Sequence, residues 1–131
     1  MKYLILIYSD PVTWAHPIFA RHPAYLDLPP QEREEIERRA RELFAEITES
    51  GELVAGAALA DPASTRTARA PGGVPAITDG PYLEAKEHLA GYFVVECASR
   101  ERAEEIAARF PDARFGAVEV RRITDTAEGR V

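Results

Sequence analysis

The chain has 131 residues with a formal net charge of −6 and one cysteine. That length suits one domain able to bury a real core, and the acidic balance argues against a partner held through phosphate neutralisation. A lone Cys97 excludes an intrachain disulfide and supports no metal cluster, and no apolar run approaches the roughly 20 residues that span a bilayer.

The opening Met1 to Tyr8 is too short for a secretory h-region and reads as a first strand. Tyr3, Ile5 and Ile7 alternate with Leu4, Leu6 and Tyr8, so both faces are apolar and both must be covered. Ser9 to Pro30 carries Pro11, Pro17, Pro23, Pro29 and Pro30, which forbid a regular helix or central strand. The same stretch holds Trp14, His16, Phe19, His22 and Tyr25, more aromatic surface than a linker needs, and it reads as an ordered loop or lid.

Gln31 to Ser50 is a predicted helix: Pro30 suits its first position, acidic residues crowd its start and Gly51 suits the residue after its end. Ile36, Ala40, Leu43, Phe44 and Ile47 form its apolar stripe, and the arginines and glutamates between them a solvated face. Glu52 to Ala60 reads as a strand. Ser64 to Ala70 and Val74 to Thr78 read as a hairpin across Pro71-Gly72-Gly73.

Thr78 to His88 concentrates a turn signal and several charges before the strand Leu89 to Cys97. Gly80 can take φ > 0 and Pro81 fixes its own φ. Ser99 caps a helix running to Phe110, where Pro111 ends it, and Gly116 to Ile123 is the last strand. One domain over residues 1–124, with a long loop at 9–30, is followed by a polar tail at 125–131.

This order is β-α-β, a hairpin, then β-α-β. It is the split βαβ arrangement of an α+β ferredoxin-like fold, with an antiparallel sheet and two helices on one face. The second apolar face of the first strand then stays uncovered, which a homodimer packed sheet against sheet would resolve.

Met1 to Tyr8, Ser50-Gly51-Glu52-Leu53, Thr78-Asp79-Gly80-Pro81-Tyr82 with Glu84, Lys86 and Glu87, Leu89 to Tyr92 and Gly116 to Arg121 resemble the YCII-related family, specifically its DGPF-type members. The resemblance covers nearly the whole chain. It implies a ferredoxin-like subunit in a dimeric α/β barrel, and a pocket at the sheet where an acid-base role of His and Asp has been proposed in the wider family. DGPF-type relatives are often encoded beside extracytoplasmic-function sigma factors. His16 to Leu28 looks like an insertion against the family's usual shorter connection.

Asp79 and His88 are the candidate catalytic pair. Asp79 either holds the Gly80-Pro81 turn or serves as a general base; His88 is either an exposed polar residue at a strand start or a proton shuttle. Trp14, Tyr82, Glu84 and Lys86 are candidate ligand contacts, by stacking for the aromatics and by charge for the others. His16 and His22 lie where loop histidines are usually solvated, and with no cysteine cluster no metal site is expected. No phosphate loop, dinucleotide fingerprint or Ser-His-Asp order is present, so no cofactor is expected either. The reading is a cytoplasmic homodimer that binds a small organic molecule, with cofactor-free isomerase- or lyase-like chemistry, and with no nucleic acid or membrane as partner. The rival is a ligand-sensing or protein-interaction module linked to transcriptional regulation.

Overall fold

The computed structural model describes residues 1–82 and 85–125. Four strands, β1 (Lys2–Ser9), β2 (Leu53–Ala58), β5 (His88–Glu96) and β6 (Ala117–Arg122), form one sheet in the order β2-β5-β1-β6, and every neighbouring pair is antiparallel. Strands β3 (Arg66–Arg69) and β4 (Ala76–Asp79) form a separate two-stranded hairpin. The helix α2 (Pro30–Glu49) links β1 to β2, and α3 (Arg100–Arg109) links β5 to β6. The outcome is the α+β arrangement expected of a ferredoxin-like subunit.

Alternation along β1 decides which side is the core. Tyr3, Ile5 and Ile7 are buried on the helix side, where Leu43 and Ile47 of α2 and Ala103, Ile106 and Ala107 of α3 close over Tyr3, Ile5 and Val95. Leu4 and Leu6 face the other way, opposite Val94 and Tyr92 of β5, and all four are only half-buried. No helix covers this second face in the described residues.

The ends of the elements follow local chemistry. Pro30 occupies the first position of α2, and Gly51 just past its end takes φ 80°, a conformation open to glycine. The Ser99 side chain accepts the Arg102 amide at 3.1 Å and so caps α3. The helix does not simply stop at Pro111: a further turn, α4 (Asp112–Phe115), precedes β6.

Residues 10–30 are ordered. Within them lie a 3₁₀ turn over Ile18–Arg21 and a short helix, α1 (Pro23–Leu26). Phe19, Ala20 and Tyr25 bury themselves with Phe115 in a small core of their own, and the Tyr25 hydroxyl donates to Glu37 of α2 at 2.7 Å. Aromatic side chains hold down a segment that its prolines bar from regular structure.

A clamp of charges ties α2, β2 and α3 together. Arg102 donates to both Glu52 oxygens at 2.8 and 2.9 Å and to Glu46 at 2.8 Å, and Arg109 also reaches Glu46 at 2.7 Å. These hydrogen bonds hold the Glu46 carboxyl down at about 2, and they lower Glu52 as well. Part of the face expected to be solvated is therefore an interhelix contact.

Candidate functional site

A pocket of about 540 Å³ lies on the helix side of the sheet at its β2 edge. Its floor is the run of small residues from Ala55 to Ala58 with Ala90 and Gly91, and its wall is Phe44, Phe93 and Phe110. The cavity exists because the sequence puts no bulk along β2. Gly56 shows why: a Cβ there would come 2.5 Å from the ring of Phe93, which is itself stacked on Phe110 at 5.0 Å and edge-on to Phe44. Ala40 and Phe44, from the same α2 stripe as the buried Leu43 and Ile47, line the pocket, Phe44 while also touching Phe93 of the sheet.

Among the described residues two titratable side chains line it, His16 and Asp112. Asp112 is only 7% exposed, and burial pushes its carboxyl up to about 6, against partial relief from its own backbone amide and from His16. A carboxyl with that proton affinity changes charge close to neutral pH, which general acid-base chemistry requires. His16 comes from the loop after β1. Its Nε2 lies 2.7 Å from the Leu59 carbonyl, and Trp14 Nε1 donates to the same oxygen at 2.9 Å. A carbonyl can only accept, so Nε2 carries a hydrogen and the neutral ring keeps its lone pair on Nδ1. Leu59 thereby fixes the tautomer of a ring beside the pocket.

The expected site residues lie elsewhere. Asp79 ends β4 with its side chain 88% exposed, in a 3.2 Å ion pair with Arg66 across the hairpin, and it does not line this pocket. His88 starts β5 and lines a second, smaller pocket with Trp14, Asp10 and Asp61. Asp79 and His88 are thus not brought into one cavity, because the hairpin carries Asp79 out into solvent. Gly80 does adopt φ 90°, and its turn is tied by its amide to the Thr65 carbonyl at 2.7 Å and by the Thr67 hydroxyl to its own carbonyl at 2.7 Å.

Tyr82 is 65% exposed and lies under the Arg69 guanidinium, 5.1 Å from its ring centre, and Lys86 is exposed. Glu84 lies outside the described residues. Trp14 packs with Ile7, Ile18 and Ala90 and anchors the loop through Leu59. His22 is half-buried, and its Nδ1 accepts the Ala24 amide at 3.1 Å. Among the described residues no cluster of His, Cys, Asp or Glu could hold a metal ion, and no helix is long and apolar enough to cross a membrane.

The pair His16 and Asp112 escaped the sequence reading for different reasons. Asp112 follows a helix-ending proline, where a carboxylate ordinarily caps or solvates. The usable signal was its position between Phe110 and Phe115, two aromatics that have to be buried. His16 had the company of Trp14, Phe19 and Tyr25, an aromatic load that demands packing against the body of the protein.

An antiparallel sheet with two long helices on one face, and an apolar pocket lined by one carboxyl and one imidazole, define a small α+β domain. The model of the YCII-related domain matches residues 1–127, and the chain belongs to that family. A protein of Rhizobium meliloti (strain 1021), named only as uncharacterized protein R00369, is 35% identical over 94 residues, which cover 68% of this chain and 76% of that protein.

Proposed function

We propose that this protein is a cytoplasmic homodimer whose subunits each bind a small organic molecule in the β2-side pocket and move a proton on it without a cofactor, in isomerase- or lyase-like chemistry. The observation that carries the reading is that His16 and Asp112 line the same apolar cavity, one with a fixed tautomer and the other with its carboxyl raised to about 6. The neutral ring of His16 supplies a base at Nδ1. Asp112 in its protonated form supplies a hydrogen-bond donor to an oxygen that gains negative charge as the proton leaves. Abstraction and return at different carbons amount to isomerisation; loss of a neighbouring group amounts to elimination.

The dimer is the α/β barrel implied by the DGPF-type resemblance. Its support is the second face of the sheet, where Leu4, Leu6, Tyr8, Tyr92 and Val94 form a half-buried apolar surface that a second copy would cover.

The test is proton exchange at the carbon beside the carbonyl of a small ring ketone in D₂O, followed by NMR. The protein should accelerate deuterium uptake over buffer, and His16→Gln and Asp112→Asn should each reduce the acceleration at least tenfold. Ketone binding without accelerated exchange would overturn the acid-base role and assign the pocket to ligand sensing, the reading that its predominantly apolar lining favours in that event.

A further inference from the structure

The pocket's charge inventory restricts what can occupy it. Among the described residues its only titratable lining groups are His16 and Asp112, and no lysine or arginine faces it. The rest is hydrocarbon and backbone: four phenylalanine rings, Ile7, Ile18, and the small residues of β2 and β5.

An anionic ligand would have to shed its hydration with no guanidinium or ammonium to receive it, beside a buried carboxyl whose own ionisation burial already disfavours. A cationic ligand would find a single counter-charge in Asp112, with hydrocarbon on its remaining sides and an imidazole competing for the same carboxylate. Desolvating two ions for one pair roughly cancels the attraction. A neutral molecule meets neither cost. Its apolar body gains from leaving water, and one oxygen can accept from protonated Asp112 or donate to the free nitrogen of His16.

We infer, on the footing of the function proposed above, that the ligand is an uncharged and mainly apolar ring compound bearing one carbonyl or hydroxyl oxygen at one end, and not a carboxylate, phosphate or amine. The volume of about 540 Å³ leaves room for more than one ring and lies within the range of drug-sized ligands.

Three probes of one skeleton test this: 2-acetylnaphthalene, 2-naphthoate and 2-naphthylmethylammonium, titrated calorimetrically into the full chain at pH 5.5, where Asp112 holds its proton and the two charged probes keep their charges. The ketone should bind at least tenfold more tightly than either charged probe. Ala40→Phe, which fills the pocket from α2, should weaken the ketone at least tenfold, and Ala58→Phe on β2 gives an independent block should the first variant fail to fold. If a charged probe binds as tightly as the ketone and is lost in the blocked variants, the ligand class is overturned while the pocket reading stands. If no probe binds, or binding ignores both substitutions, the pocket is not the ligand site and both readings fall.

Discussion

Asp112 owes its proton affinity to the wall around it and not to a negative neighbour, so its charge opposes folding. An ordinary aspartate titrates at 3.8, and this one at about 6, so the folded state holds its proton more tightly. The resulting stability is fully present below about pH 4 and is lost as pH rises through 6, a loss of about 3 kcal/mol by pH 8. Asp112→Asn is therefore expected to be about 2–3 kcal/mol more stable than the parent at pH 8, with the gap closing near pH 4, as measured by urea denaturation at both pH values. A gap of constant size would show that the carboxyl titrates normally. Gly56 carries a second expectation at this scale. Gly56→Ala forces the Phe93 ring off Phe110 and should cost about 1–3 kcal/mol, measured the same way. Neither residue announced itself in the sequence, since a single letter does not say which side chain lies opposite.

Elements were far more legible. The stripe Ile36, Ala40, Leu43, Phe44 and Ile47, with Pro30 and Gly51 at its ends, specifies α2 to within a residue or so. Ser99 fixes the start of α3, and Pro71-Gly72-Gly73 the hairpin turn. Spacing alone left open how such a stripe divides between sheet and pocket. It was equally silent on Arg102 reaching Glu46 and Glu52, because partners 50 and 56 positions apart meet only after folding. Both glutamates are held below the ordinary carboxylate range, so the clamp's contribution is present above about pH 4.5 and is lost as pH falls toward 2. Arg102→Met leaves the half-buried Glu52 without its bidentate partner. It should lower stability at pH 7 by on the order of 1–2 kcal/mol and flatten the loss of stability between pH 4.5 and 2, as read by thermal unfolding across that range. The loop over residues 10–30 illustrates the reverse case. Its prolines said irregular and its aromatics said packed, and the two together allow an ordered irregular segment that delivers His16 to the pocket.

At the scale of the whole molecule, the two faces of β1 divide the protein into a closed side and an open one. The closed side holds the core and the pocket; the open side shows Leu4, Leu6, Tyr92 and Val94. The topology was legible from the order of elements because a β-α-β unit on either side of a hairpin leaves few antiparallel arrangements. The site was not, since it joins the loop after β1 to the turn after α3, nearly a hundred positions further along the chain. Light scattering at micromolar concentration is expected to give the mass of a dimer, and Val94→Lys that of a monomer; a monomeric parent would remove the case for sheet-to-sheet pairing. The proposal that one cavity unites an imidazole and a raised carboxyl is reached most directly by a ¹³C NMR titration of the Asp112 carboxyl, with its resonance assigned by its loss in Asp112→Asn. The expected midpoint is near 6, moving upward in His16→Gln as the favourable field of His16 on the carboxylate is removed. A midpoint in the ordinary aspartate range, indifferent to His16, would contradict the account.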